Sequence, residues 1–232
     1  MSNIIALAGL SNSGKSTSLK YLDPEETFII SCTSKQLQIP GFRKKYKKAT
    51  VDDGKLCGNW LISNDYVKIE KVLKIISKSR PEIKVACLDD CNYLLSNETF
   101  QNAMVKGYEK FTILAKNYYD LIQTCQNLRD DLTIVFISHI ENIGTEIDPE
   151  YRLWTTGKML TNAINLDGLF SYIIYAERYI PDGQDEVGYR FKTRTDGNDT
   201  CRSIAGCFED KYIEPNMKLV IDRVNEFEFG EE

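Results

Sequence analysis

The sequence of 232 residues has no long hydrophobic run and no basic leader segment. No apolar stretch approaches the roughly 18 uninterrupted residues that a membrane-spanning helix needs. The apolar run Ile4–Leu10 is not preceded by the positively charged segment that begins a secretory signal. We therefore expect a protein that neither spans a membrane nor is exported.

The sequence also has little excess charge and a single histidine, His139. Its 29 basic and 34 acidic residues give a net charge of -5, which argues against coating nucleic acid by bulk charge but leaves a local basic groove open. The seven cysteines lack the two-residue spacing of a zinc knuckle, and His139 is far from the closest cysteine pairs in sequence. We expect reduced thiols in the cytoplasm and no zinc site.

Apolar segments of strand length alternate with longer segments of helical period. Strands are predicted at Ile4–Ala8, Thr27–Cys32, Lys84–Leu88, Thr133–Ser138 and Leu169–Ala176, and helices at Asp65–Ser79 and Tyr108–Leu128. This alternation predicts an α/β fold with a mainly parallel central sheet flanked by helices.

The last third of the chain changes character. Strand-forming residues resume at Val187–Thr195 after a turn, which predicts antiparallel strands near the C-terminus. Lys218–Asp222 is compatible with one more strand or with the start of a helix. The length suits a single domain over residues 1–225, and we expect the acidic segment 226–232 to fray.

A glycine-rich loop directly follows the first predicted strand and precedes a helical stretch that begins at Thr17. The loop matches the phosphate-binding motif G-x-x-x-x-G-K-[ST] at Gly9, Leu10, Ser11, Asn12, Ser13, Gly14, Lys15 and Ser16. Small residues let backbone N–H groups converge on phosphate oxygens, and the following helix turns its positive end toward the anion. We predict that residues 9–17 cradle a nucleotide, with Lys15 on its terminal phosphates and Ser16 on Mg²⁺.

Polar residues directly follow two more of the predicted strands, Lys84–Leu88 and Thr133–Ser138. Asp89 and Asp90 follow Lys84–Leu88, and we predict that Asp89 completes the Mg²⁺ shell while Asp90 orients or deprotonates an attacking water. His139 follows Thr133–Ser138, where the carboxyl end of a central strand faces the ligand crevice. His139 either hydrogen-bonds the terminal phosphate or the water, or is a structural cap on the strand.

These three strand ends resemble the RecA-like branch of P-loop ATPases, and more specifically small ATP-binding proteins of bacteriophages related to single-strand annealing and recombination proteins. The likeness covers about residues 3–210 and includes Phe191–Arg202 and Gly206–Phe208. It implies an ATPase that uses ATP and Mg²⁺ and acts on single-stranded DNA in phage recombination, annealing or replication. It also implies a homo-oligomer, a ring or a filament, with ATP near the subunit interface, in the cytoplasm of the bacterial host for a phage-encoded protein.

The sequence departs from that family at one place. RecA-type recombinases carry a catalytic glutamate just after the strand that follows the P-loop helix, whereas Ser31–Gln36 contains no acid. Hydrolysis must then rely on Asp90 or be slow. Two alternatives stay open: a nucleoside or nucleotide kinase, although Ile143–Lys158 offers only Arg152 as a lid arginine, and a non-catalytic scaffold gated by nucleotide.

Two basic residues are candidates for contact with a neighbouring subunit. Lys192 and Arg194 are two apart on a predicted strand and so point to the same face. They look similar to a basic pair that reaches the neighbour's terminal phosphate in RecA-like filaments, where a cation stabilises the transition state. The alternative is a solvated strand face.

Two other segments are candidates for DNA contact. Arg152 and Lys158, in the long connection after His139, could meet phosphates, and Trp154 could stack on an unpaired base. Trp154 could equally anchor that connection to the core. The basic segment Arg43–Lys48 is either a nucleic-acid or partner contact or a solvated face.

Overall fold

An eight-stranded mixed sheet forms the centre of the computed structural model, which describes residues 1–52, 55–107, 109–156 and 165–230. The strands are β1 (Ile4–Ala8), β2 (Thr27–Ser31), β3 (Thr50–Asp52), β4 (Lys55–Cys57), β5 (Trp60–Ile62), β6 (Val85–Asp89), β7 (Thr133–Ser138), β8 (Ile140–Asn142), β9 (Tyr151–Leu153), β10 (Tyr172–Tyr179), β11 (Gly188–Lys192) and β12 (Tyr212–Ile213). The pairs β3–β4 and β8–β9 form small antiparallel sheets of their own.

Helices cover the sheet on both faces. They are α1 (Phe42–Lys45), α2 (Tyr66–Ser79), α3 (Asn92–Gln101), α4 (Glu109–Gln126) and α5 (Met217–Phe229), with short 3₁₀ helices at Ser16–Tyr21 and Asp167–Leu169. Within the described ranges, no helix is both long enough and apolar enough to cross a membrane.

The strand order in the central sheet is β12-β11-β10-β1-β7-β6-β2-β5. The strands from β10 to β5 run parallel, and β11 and β12 are antiparallel additions at one edge. The predicted α/β fold, with a mainly parallel central sheet, flanking helices and antiparallel C-terminal strands, is confirmed.

The central strands are apolar at nearly every position because both of their faces are covered. Along β1, Ile4, Ala6 and Ala8 pack with α2 and α4 on one face, while Ile5 and Leu7 pack with α5 and the first 3₁₀ helix on the other. Burying both faces fixes the strand register, and it brings the carboxyl ends of β1, β6 and β7 to one edge of the sheet.

The C-terminal segment is more ordered than the sequence predicted. Lys218–Asp222 lies inside α5, which begins after Asn216, whose side chain accepts a hydrogen bond from the Leu219 N–H. The helix continues through Phe229, so it includes the first four residues of the segment expected to fray. Burial of one helix face on the sheet explains this length, because packing rather than propensity stabilises most helices.

The helix predicted after the glycine-rich loop is a short 3₁₀ helix, Ser16–Tyr21. Leu22, the residue after it, has an extended backbone, and the next two residues are Asp23 and Pro24. Proline disfavours helical backbone in the residue before it, which limits the helix to this length. Two other elements also differ: β10 begins three residues later than predicted, and the connection after His139 contains the hairpin β8–β9.

Candidate functional site

A cleft of about 550 Å³ lies where the carboxyl ends of β1, β6 and β7 meet. Its lining residues are Ser11, Asn12, Ser13, Gly14, Lys15, Ser16, Thr33, Lys35, Gln38, Asp90, Tyr93 and His139. The cleft therefore brings together residues of the glycine-rich loop with Asp90 and His139, as the order of the strand ends predicted.

The shape of the loop depends on its two glycines. Gly14 has a φ of 90°, in the left-handed region that favours glycine. At Gly9, a Cβ atom would lie 2.4 Å from the carbonyl oxygen of Ala176 in β10 and 2.7 Å from Ser13 Oγ. Any larger residue at Gly9 would push the loop away from β10. The close approach at Gly9 and the positive φ at Gly14 therefore explain why the motif has glycine at both positions.

The Lys15 side chain is folded back onto its own loop. Its Nζ donates hydrogen bonds of 2.7 Å to the carbonyl oxygens of Gly9 and Leu10, and the residue is only 6% exposed. Burial lowers the pKa of Lys15 to about 8, although the charges of Asp90 and Asp89 oppose this shift. The lysine can therefore exchange two neutral carbonyls for an anion in the cleft at little geometric cost.

Ser16 and Asp89 contact each other directly across the cleft. Ser16 Oγ donates a hydrogen bond of 2.8 Å to Asp89 Oδ1. Burial, with the charge of Asp90 adding to it, raises the pKa of Asp89 to about 6. A hydroxyl and a carboxylate side by side are hard oxygen ligands of the kind that Mg²⁺ prefers, so the residues present fit this ion.

Asp90 lies in a tight turn between β6 and α3. Its φ is 57°, a left-handed conformation that aspartate tolerates better than most residues, and the next N–H, of Cys91, donates to the Ile137 carbonyl of β7 at 2.9 Å. His139 Nε2 lies 3.8 Å from Asp90 Oδ1. Burial and the charge of Lys15 lower the pKa of His139, which favours its neutral form beside the carboxylate.

Four lining residues were not assigned a role from the sequence: Thr33, Lys35, Gln38 and Tyr93. The first three follow β2, whose end is paired with that of β6 through Ser31 and Asp89. The rule that carboxyl ends of neighbouring parallel strands meet at one edge could have found them. Tyr93 packs edge-on against His139, with ring centroids 6.4 Å apart. This contact could not be predicted from a local sequence pattern.

The structure corrects the expectation that Lys192 and Arg194 share one strand face. The strand β11 ends at Lys192, which is 2% exposed, whereas Arg194 is exposed and donates to the Glu209 carbonyl oxygen at 3.1 Å. Lys192 Nζ donates to Asp196 Oδ2 at 2.5 Å and to Asp199 of its own chain. This buried lysine compensates the nearby carboxylates of its own chain.

The DNA candidates after His139 lie on or beside the β8–β9 hairpin. Arg152 Nε donates to Glu141 Oε1 of the facing strand at 2.9 Å. Trp154 is half-buried against the apolar core, and its backbone N–H donates to the His139 carbonyl oxygen at 3.0 Å. These contacts favour the anchoring role of Trp154 over the stacking role. Lys158 lies outside the described residues.

Comparison with known proteins gives weak similarities. No family model matches the chain, and no curated protein does. Among solved structures, the chain is similar to the genome packaging NTPase of Sulfolobus turreted icosahedral virus 2 in complex with ATP-gammaS, with 14% identity, a TM-score of 0.41, and coverage of 78% of this chain and 77% of that one. It is also similar to a KaiC-like protein from Pyrococcus horikoshii OT3, with 10% identity, a TM-score of 0.42, and coverage of 82% and 77%. Neither similarity assigns a substrate or a partner to this chain.

Proposed function

We propose that this protein is an ATPase that uses Mg²⁺ and acts on single-stranded DNA as a homo-oligomer, in phage recombination, annealing or replication. The observation that supports the nucleotide site is the 2.8 Å hydrogen bond from Ser16 to Asp89, formed at the mouth of the glycine-rich loop. A P-loop needs its hydroxyl and the strand-end carboxylate side by side, because both belong to one metal shell.

Each residue of the cleft has a distinct task in this proposal. Backbone N–H groups of the loop hold the phosphates, and Lys15 leaves its carbonyl partners to neutralise the terminal ones. Ser16 and Asp89 would hold Mg²⁺, which supplies a positive charge to the phosphate oxygens when it is bound. Asp90 orients the attacking water or takes its proton, and His139 holds the water or the terminal phosphate by a hydrogen bond.

A non-catalytic scaffold gated by nucleotide is the second candidate function. It is favoured by the cation Lys35 in the segment where RecA-type recombinases carry a catalytic acid. Phosphate release by the purified protein separates the two candidates, because the scaffold binds ATP without turnover. A nucleotide kinase has less support, since Arg152, the arginine available for a lid, is paired with Glu141.

The DNA contact is assigned here to α1 and the residues after it rather than to the β8–β9 hairpin. Phe42 and Tyr46 are buried, with their rings stacked at 4.9 Å, and they anchor this segment to the protein. Five exposed cations surround them: Arg43, Lys44, Lys45, Lys47 and Lys48. Within the described ranges none of the five forms an ion pair, so their charge is available to a phosphate backbone.

Replacing Lys44 and Lys45 by alanine should weaken binding to single-stranded DNA and flatten its salt dependence. Removing one phosphate contact lowers the slope of log K against log salt by roughly 0.7 for a single strand. Fluorescence anisotropy at several salt concentrations measures this slope. The matched control replaces Lys74 and Lys218, two exposed lysines on α2 and α5, and should keep the parental slope. Equal slopes in both double variants would remove α1 from the DNA site, and a parent that binds no DNA would remove the DNA role.

Oligomer formation is tested by gel filtration with ATP, with and without a single-stranded oligonucleotide. The proposal expects assembly that depends on DNA, with Arg194 reaching ATP held by a neighbouring subunit. Arg194→Ala subunits should then bind nucleotide normally and hydrolyse it poorly. Mixing them with Lys15→Ala subunits should restore part of the DNA-stimulated phosphate release, because one interface then combines an intact loop with an intact arginine. If light scattering confirms co-assembly and the mixture is no faster than its components, Arg194 has no such role.

A further inference from the structure

The cleft contains a second lysine to which the proposed function gives no role. Lys35 follows β2 and lines the cleft together with Lys15 and Asp90. Burial is the main cause of the lowered pKa of Lys15, and the charge of Lys35 adds to that effect. Burial and the charge of Lys15 lower the pKa of His139, and Lys35 lowers it further. The charge of Lys35 thus acts on residues from two other strand ends.

The segment that carries Lys35 is fixed at both sides. Before it, the Cys32 N–H donates a hydrogen bond of 3.0 Å to the carbonyl oxygen of Asp89. After it, Leu37 and Ile39 are buried in the core, 3% and 5% exposed. Only residues 33–36 lie between these anchors, so Lys35 is held at the cleft although its side chain is exposed.

The position of β2 decides which end of a bound nucleotide Lys35 would meet. The strand β2 pairs with β6, and Ser31 lies opposite Asp89 in the register. Asp89 and Asp90 mark the end of the cleft where the metal and the terminal phosphate belong. Lys35 therefore approaches from the terminal-phosphate side. In the described part of the chain its ammonium forms no ion pair, so it is available to an anion.

We propose that Lys35 binds the terminal phosphate of ATP within its own subunit. The proposal rests on the proposed nucleotide function and adds a residue that distinguishes ATP from ADP without a neighbouring chain. A cation cannot activate water, so the role of Asp90 is unchanged. Lys35 instead offsets negative charge on the phosphoryl oxygens, a task for which Lys192 is unsuitable because it is buried among its own carboxylates.

The test compares the affinities of Lys35→Gln and Lys35→Arg for two ligands, Mg-ADP and a slowly hydrolysed ATP analogue, by calorimetry. Lys35→Gln should weaken binding of the ATP analogue by about tenfold to a hundredfold, the usual effect of losing a charge-assisted hydrogen bond. Binding of ADP should change by no more than roughly twofold, since an exposed charge without a direct contact contributes little. Lys35→Arg should retain most of the preference for the ATP analogue.

The matched control is Lys218→Gln, which removes an exposed lysine from α5 and should leave both affinities at the parental value. Thermal denaturation checks that each variant is folded. If the parent binds neither nucleotide, the proposed function fails before Lys35 is tested. If the parent binds both and Lys35→Gln weakens both equally or neither, Lys35 does not contact the terminal phosphate and the proposed function stands.

Discussion

Lys15→Ala is expected to lower the affinity for Mg-ATP by roughly 10²- to 10³-fold, the effect of leaving a buried anionic group without its cation. Lys15 Nζ donates hydrogen bonds to two carbonyl oxygens of its own loop, which it can leave to bind a phosphate. Alanine removes this cation and leaves the backbone of Gly9 and Gly14 unchanged. Calorimetry measures the loss. Lys20→Ala, an exposed lysine in the following 3₁₀ helix, is the matched control and should bind like the parent.

The pH dependence of binding gives a second test of Lys15. Because burial lowers its pKa to about 8, the free protein loses this positive charge as the pH rises through 8. A phosphate binds the protonated lysine, so the affinity should fall as the pH rises above 8, by up to roughly tenfold per pH unit. Lys15→Ala should not show this fall. Equal ATP affinity in Lys15→Ala and the parent at pH 7 would disprove the P-loop assignment.

The residues that could be predicted from the sequence are those whose role depends on local pattern. The strands β1, β6 and β7 are apolar at nearly every position, and that pattern alone indicates burial on both faces of a parallel sheet. The phosphate-binding motif has a fixed spacing, so the positions of Lys15 and Ser16 in the loop could be predicted directly from it. Asp89 and Asp90 followed from their position at a strand end.

The remaining features depend on partners that are distant in sequence. A basic residue two positions from another predicts a shared face only while the strand continues, and β11 ends at Lys192. The carboxylate partners of Lys192 come from a turn that folds back on β11, which no periodicity describes. The position of Trp154 could not be predicted for the same reason, because its packing against the core depends on the hairpin formed after His139.

Asp90→Asn is expected to retain Mg-ATP binding and to lose turnover by roughly 10²-fold or more, as when a positioned base is removed. Asparagine has the same shape and also tolerates the left-handed backbone of this turn, so the substitution tests the carboxylate and not the fold. The matched variant is Asp89→Asn, one residue earlier. It should weaken the dependence on Mg²⁺ itself, because Asp89 and not Asp90 contacts Ser16. Steady-state phosphate release over a Mg²⁺ titration separates the two effects.

Glu141, in β8 just after the end of β7, is another carboxylate that could activate water if Asp90 does not. Its Oε1 already accepts hydrogen bonds from Arg152 Nε at 2.9 Å and from Thr155 Oγ1 at 3.0 Å. These bonds hold the Glu141 carboxylate on the β8–β9 hairpin, whereas Asp90 is among the residues that line the cleft, so Glu141→Gln should turn over ATP at nearly the parental rate. Parental turnover in Asp90→Asn together with reduced turnover in Glu141→Gln would transfer the role to the hairpin. A parent that binds ATP and releases no phosphate, with or without DNA, would favour the scaffold, because the cleft would then hold nucleotide without activating water.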